Sequence, residues 1–483
     1  MTRKSSSIHK LPTIKFEEDG IVRPSLDDNS TVISGSQMTD TSTIHTQQPT
    51  RLDRLLRSSL ADSGYLSEKK KEQNYSPTED ETTLYDEEIE DPYRWVILFS
   101  AFLAQAISVC VMQEYFDREV FKGSVGTTEL SFVGTIGFSF CGLMGPVTPF
   151  ILSLFGARWV LFFGTLLLSS GLILASFATQ VWQLYITQSF MHGLGGAVLY
   201  IVSISIAPQW FIKRKGLAMG IMASGSGVGG LIMPIVITSL NESLGGAWCY
   251  RIIGIVNFVV SLLATLLLKE KPSTVPKKKL NFNAILDFSV CKDPKFVIWC
   301  IAGNLSIMAY YIPVFYLPTH ATKIGLSPTQ GSALVAVFSA INVFGRIFSG
   351  YLGDHIGVVN VNILFSFVCG LSSLFIWTFA KTYATLMIFI VIYGFLSGAV
   401  WSLLAPITAE ITGMEKYSSG ICLYLFFMTG ARFGPSLVGA IQLATDKNSF
   451  FSQQMFTGLA LVLSSFVIVY LKYQLQSKMF AKV

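Results

Sequence analysis

The stretch that decides the fold runs from Gln209 to Gly230 and reads QWFIKRKGLAMGIMASGSGVGG. Three bases, Lys213, Arg214 and Lys215, precede a glycine run in which Gly225, Gly227 and Gly230 satisfy the G-x-G-x-x-G spacing of a dinucleotide-binding turn. Such a turn needs a strand before it and an acid about 20 residues after its glycines. Here the glycines lie inside an apolar span, and Ala247, Trp248, Cys249, Tyr250 and Arg251 stand where the acid belongs. Small residues in a membrane helix let neighbouring backbones pack closely, and bases at its edge anchor it on the cytosolic side. The stretch is expected to be a helix-packing hinge surface, not a phosphate cradle.

Composition points the same way. The 483 residues are 51% hydrophobic and 13% charged, with a mean hydropathy of +0.53, whereas a soluble domain carries about 25% charged residues. The charges are also unevenly spread. Residues 1–92 are rich in Ser, Thr, Asp, Glu and Gln and cannot bury enough apolar surface to offset chain entropy, so a disordered cytosolic tail is expected. The tail starts MTRKSSSIHKL without an apolar core, so no secretory signal is expected. Its basic patch (Arg51, Arg54, Arg57) and acidic run (Glu79 to Asp91) suit either a plain solvated tail or a regulatory segment. A kinase acting on Ser or Thr, or a ubiquitin ligase acting near Lys69 to Lys71, is the partner class for the second reading. The cysteines form no CxxC and no metal spacing, so neither a metal nor a disulfide framework is expected. No cofactor and no nucleic-acid partner are expected.

Counting apolar stretches of about 20 residues, the length that crosses a hydrocarbon core, yields twelve. They lie near 95–116, 130–154, 158–178, 181–206, 216–240, 248–268, 296–318, 328–352, 360–379, 383–407, 417–441 and 450–471. The expected organisation is a six-helix half over 93–268, a basic central loop over 269–295, a second half over 296–471 and a short tail over 472–483. Cations set the orientation. With the tail in the cytosol, the inner loops hold Arg158, Lys213 to Lys215, the lysines between 269 and 279, Lys292, Lys295, Lys416 and the C-terminal lysines. The outer loops hold only Arg118, Lys122, Lys323, Lys381 and Lys447, so both termini are expected in the cytosol.

The halves echo each other. Gly156 matches Gly357, Pro234 matches Pro435, and the Gly-Ala-Val at 196–198 matches that at 398–400, all at offsets of 201 or 202. Parallel six-helix repeats with a site between them near the midplane form a transporter architecture. The fold class is therefore all-α and integral to the membrane, with twelve transmembrane helices in two halves.

Two motifs carry a family resemblance. GRIFSGYLGDHIG, Gly345 to Gly357, resembles the inner-loop motif of the major facilitator superfamily, with Gly350, Asp354 and Gly357 in register. The aspartate there can meet a neighbouring helix N-terminus or a cation. The first-half copy, GPVTPFILSLFGARW, has Ser153 and Leu154 where an acid or amide and a base usually stand, so the inner gate is expected to lean on the second half. WFIKRKGLAMGIMASGSGVGG is similar to the fifth-span signature of the monocarboxylate transporter family. SVCVMQEYF and TGARFGPSLVGAI resemble that family's fungal branch. The resemblance implies alternating access for a small organic solute, often an anion carried with a proton. It also shows departures. Ala106, beside Gln105, stands where animal members have a lysine, and Asn342 replaces the aspartate one turn before Arg346. Lactate-like specificity is therefore open, and a larger organic solute such as riboflavin or another vitamin-like compound is the alternative. A transport-dead nutrient sensor is the reading from another class. An enzyme is not expected, since no triad, metal cluster or nucleotide loop is present.

Ionisable groups within the bilayer cost about 2.5–3.5 kcal/mol each, which makes them functional candidates. Arg432 is a candidate anion contact, or else a packing partner of backbone carbonyls. Arg346, Asp354, His192 and Glu114 are candidates for gating or proton handling, with hydrogen-bonded packing as the plain alternative for His192. Tyr310, Tyr311 and Phe315 flank Pro313, where the seventh span is expected to break, and with Trp401 they suit a planar solute. Gln105, Asn304 and Asn342 are candidate polar contacts, and Gln188 is a further one. The plasma membrane, rather than the vacuole or another internal membrane, is the expected location.

Overall fold

The computed structural model describes residues 91–107, 127–270, 286–445 and 449–476, with the side chains of 127–131 excepted. Residues 1–90 of the tail and Glu114 lie outside the described residues. Among the described residues the chain is helical throughout and makes twelve passages. In the first half these are α1 (Arg94–Ala106), α2 (127–155), α3 (157–175), α4 (Val181–Trp210), α5 (Lys215–Leu244) and α6 (Gly246–Leu267). In the second half they are α7 (Pro294–Lys323), α8 (Pro328–Ile356), α9 (Val358–Trp377), α10 (383–412), α11 (414–445) and α12 (Phe451–Leu475). Large apolar side chains such as Phe163, Val259, Leu266, Phe375 and Phe466 stand exposed along these helices, the surface that lipid covers. The protein is an integral, multi-pass membrane protein.

Local chemistry sets the helix ends. Pro294 and Pro328 occupy first-turn positions, where their missing N–H is no loss. Asp293 caps α7 by accepting from the Lys295 amide at 2.9 Å, and Ser327 caps α8 by accepting from the Gln330 amide at 3.2 Å. The duplication is visible in backbone conformation. Gly156 and Gly357, matched in sequence, take φ of 77° and 97° and turn α2 into α3 and α8 into α9. A residue with a Cβ resists that region.

The structure corrects the expectation for the seventh span. α7 does not break at Pro313; its backbone stays helical from Pro294 to Lys323. Proline removes the bond to the carbonyl four residues back, here that of Ala309. The buried Tyr393 hydroxyl donates to that oxygen at 3.2 Å, so the freed acceptor finds a partner and the helix runs on.

The glycine run of α5 is a two-sided packing surface. A Cβ at Gly225 or Gly229 would come within 2.3 and 2.0 Å of the Phe102 and Ala106 carbonyl oxygens of α1. On another face, a Cβ at Gly216 or Gly220 would meet the Gly350 and Arg346 carbonyls of α8, each at 2.5 Å. Helix α5 thus lies in backbone contact with both halves.

The cores are distributed unequally along the bundle axis. At the end where α1 begins and α12 finishes, one buried apolar cluster draws on both halves, from Ile204, Phe211 and Met219 to Val359, Leu403 and Ile421. Towards the opposite end the halves have separate clusters, one around Tyr250 and Leu184, the other around Trp377 and Phe389. The halves are therefore sealed together at the terminal end and share no such cluster at the other, among the described residues.

Candidate functional site

Two sets of hydrogen bonds reinforce the terminal-end seal. The carboxylate of Asp354, at the end of α8, accepts from the Gly216 amide at 2.7 Å and the Leu217 amide at 2.8 Å. These are unpaired first-turn donors of α5, where the helix dipole also favours negative charge. The Tyr417 hydroxyl of α11 donates to the Ile204 carbonyl of α4 at 2.7 Å. Each bond ties one half to the other.

Above the seal lies a cavity of about 310 Å³, lined by α1, α2, α4 and α5 on one side and α7, α8, α10 and α11 on the other. That volume sits at the small end of the roughly 300–1,000 Å³ range of ligand pockets. Arg346 forms its floor. Its Nε donates to Asn342 Oδ1 at 2.7 Å, Nη1 to the Ala223 carbonyl at 2.6 Å and to Ser226 Oγ at 2.5 Å, and Nη2 to the Tyr310 hydroxyl at 3.2 Å. Asn342 is oriented in turn, its Nδ2 donating to the Gly394 carbonyl of α10 at 2.8 Å. A guanidinium suits this position because it offers five donors in a fixed fork. All of its partners are neutral.

Arg432 stands on the opposite wall. The chain around it departs from regular α-helix between Thr429 and Gly434, which points its side chain across the cleft. Nη1 donates to the Phe138 carbonyl of α2 at 2.6 Å, while Nε is buried without a partner. Both guanidiniums belong to the second half, and each reaches a backbone carbonyl of the first. No Asp or Glu lines the cavity among the described residues. Two positive charges in this low-dielectric site thus meet only neutral partners among the described residues.

The aromatic wall is a mutually braced cluster. Tyr310 packs edge-on against Tyr311 at 4.9 Å and Trp401 at 5.8 Å, and Tyr311 lies 6.3 Å from Trp401. The facing first-half wall is largely bare of side chains, with Gly134, Gly137, Gly193 and Gly196 lining it. Helix α4 is wound wider than an α-helix from Tyr185 to His192, a feature found often at functional sites. That segment brings Gln188 and His192 to the cavity. His192 Nδ1 lies 3.0 Å from the Leu168 carbonyl, an acceptor only, so Nδ1 is the donor of this bond.

Of the residues singled out in the sequence, Gln105, Tyr310, Tyr311, Asn342, Trp401, Arg432, His192 and Arg346 converge on the cavity. Asp354 is at the seal. Phe315 and Asn304 do not line the cavity: Phe315 is 63% exposed on the outside of α7, and Asn304 Nδ2 is engaged with the Cys300 carbonyl of its own helix. Tyr200, Ser226, Phe338 and Cys141 also line it, and sequence reasoning did not find them. They are ordinary residues of apolar helices, and no spacing or charge marks them.

Twelve helical passages among the described residues, in two halves sealed at one end around a central cavity, together with the family match, make the protein a membrane transporter. The chain belongs to the Major Facilitator Superfamily, whose sequence profile matches residues 94–435. It is 30% identical over 362 residues to a fujikurins efflux protein of Gibberella fujikuroi, covering 74% of this chain and 76% of that one. It is 27% identical over 370 residues to the MFS transporter asaE of Aspergillus flavus, covering 76% and 82%. The probable transporter MCH2 of Saccharomyces cerevisiae is 26% identical over 381 residues, covering 76% and 80%. Among solved structures, the transporter FucP in its outward conformation superposes with a TM-score of 0.61 at 13% identity, covering 79% of this chain and 99% of that one, a likeness of fold.

Proposed function

We propose that the protein is a secondary active transporter that moves an organic anion across a membrane by alternating access, and that it is a carrier and not an enzyme. The observation that carries this reading is the pair Arg346 and Arg432 facing one cavity without a lining carboxylate among the described residues. The efflux activity named for relatives such as the fujikurins efflux protein supports transport of an organic solute. The aromatic cluster opposite a glycine wall favours a planar solute over a short aliphatic monocarboxylate. Both termini lie in the cytosol in this reading, by the distribution of cations, and the seal is then the inner gate.

His192 supplies a route for proton coupling. His192 lines the same cavity as the two guanidiniums, and a proton taken up there adds to the positive charge that a bound anion offsets. Anion and proton therefore promote each other's binding by the same factor.

The test is transport by the full chain in proteoliposomes, using radiolabelled 4-acetylbenzoate and other aromatic carboxylates, with and without an imposed pH gradient. Uptake that R346Q and R432Q abolish is expected, and H192Q is expected to remove its dependence on the gradient. Transport of cations or neutral solutes but of no anion refutes the reading; uptake indifferent to pH in both wild type and H192Q refutes the coupling alone.

A further inference from the structure

We infer that Tyr200 and Tyr311 are the hydroxyl donors of the anion site, and that with Arg432 they hold the solute's anionic group from both halves at once; this rests on the anion reading above. The two guanidiniums are unequally engaged. Arg346 is 6% exposed and makes four hydrogen bonds to protein oxygens, so most of its N–H groups are taken by the helices around it. Arg432 makes one such bond among the described residues, to the Phe138 carbonyl, and a further contact with the Cys141 thiol. An arriving anion therefore meets less competition at Arg432.

The cavity tyrosines divide in the same way. Arg346 Nη2 donates to the Tyr310 hydroxyl, which donates in turn to Asn342 Oδ1 at 3.3 Å, so that hydroxyl is engaged on both sides. The hydroxyls of Tyr200 and Tyr311 have no hydrogen-bond partner among the described residues, and neither is sealed off, since both residues are partly exposed and line the cavity. Each hydroxyl lies within electrostatic reach of Arg432 and of the Cys141 thiol, and Tyr200 within reach of Tyr311 as well. Packing holds Tyr311 in place, its ring 4.9 Å from that of Tyr310 and 6.3 Å from that of Trp401. Tyr200 comes from α4 of the first half, Tyr311 and Arg432 from α7 and α11 of the second. A phenol donates to a carboxylate more strongly than to a neutral oxygen, and these two can do so without giving up a bond to the protein. A carboxylate has lone pairs enough for a guanidinium and two hydroxyls. Bound to all three, it links α4 to α7 and α11.

The experiment measures binding to the full chain in lipid nanodiscs, using 4-acetylbenzoate and 4-nitroacetophenone, in which a neutral nitro group of nearly the same shape replaces the carboxylate. Wild type is expected to bind the carboxylate more tightly. Y200F and Y311F are each expected to weaken 4-acetylbenzoate binding about tenfold, the size of one hydrogen bond to a charged group. Their affinity for the nitro compound and their melting temperatures are expected to stay at the wild-type values, which reports that the variants are folded. Undiminished 4-acetylbenzoate affinity in either variant, or an equal loss for both compounds, overturns the inference; the anion reading still stands where wild type prefers the carboxylate. Wild type that binds the two compounds equally, or binds neither, overturns both.

Discussion

Replacing Asp354 with alanine tests the link between one carboxylate and the conformation of the whole bundle. In the structure it accepts two hydrogen bonds, at 2.7 and 2.8 Å, from the first turn of α5. Hydrogen bonds to a charged group contribute about 1.5–3 kcal/mol each. Asp354 is only partly buried, and water can reach the freed amides once the seal parts, so a combined loss of about 2 kcal/mol is the appropriate figure. That corresponds to about thirtyfold in the equilibrium between closed and open terminal ends. If the closed form holds about 99% of molecules, the variant should hold roughly three closed for each open, a shift large enough to observe. Spin labels at Ile212 and Ile356, one in each half and both exposed, in a background lacking the native cysteines, would report the separation of the halves by pulsed electron resonance. The expected result is a second, longer distance in D354A and a smaller fraction of it in D354N, which retains an acceptor. A single unchanged distance in both variants would refute the reasoning and reduce the contact to ordinary helix capping.

Further expectations concern other contacts. G229A, whose Cβ would lie 2.0 Å from the Ala106 carbonyl, should lower the melting temperature of detergent-solubilised protein by several degrees, whereas G230A, with nothing within 4 Å, should not. The central loop docks on the α10–α11 turn through Asp287, which pairs with Lys416 at 3.1 Å and whose backbone N–H donates to Ser419 Oγ at 3.0 Å. Hydrogen bonds from Ser289, then Lys416, hold the Asp287 carboxyl down at about 2. A depressed carboxyl stabilises above its unfolded value of about 3.9 and loses that contribution as pH falls through the folded value. Docking should therefore persist at pH 5 and fail between about pH 4 and 2, seen as pepsin cleavage near Phe288, and K416M should be cleaved faster at the upper end of that window. Y417F should loosen the terminal seal less than D354A in the same spin-label assay, since it removes one neutral bond.

Much of the fold was legible without coordinates. Span positions, the two halves and the matched Gly156 and Gly357 follow from hydropathy and a repeat offset, because a bilayer leaves an apolar segment little choice but a full helix. The α5 glycine run was readable as a packing surface for the same reason. The site was legible for residues that are costly in lipid, Arg346, Arg432, His192 and the amides near them, and for the aromatics Tyr310, Tyr311 and Trp401. Tyr200, Ser226 and the glycine wall carry no such cost and left no mark. Phe315 shows the converse, since proximity in sequence to Tyr311 says nothing about which side of α7 meets the cavity. The Pro313 break was expected from local chemistry alone, and a tyrosine 80 residues on cancelled it.

Sequence alone therefore determined the class of fold, the number of passages and the short set of polar residues that need a partner, all of which depend on transfer energies of single side chains. Tertiary structure decided which of them meet. Only packing of α4 against α2 and α6 orients the Gln188 amide, and only the crossing of α8 over α5 puts Asp354 on the Gly216 amide. Those are relations between segments far apart along the chain, set by helix rotation and close backbone approach, and no local pattern encodes them.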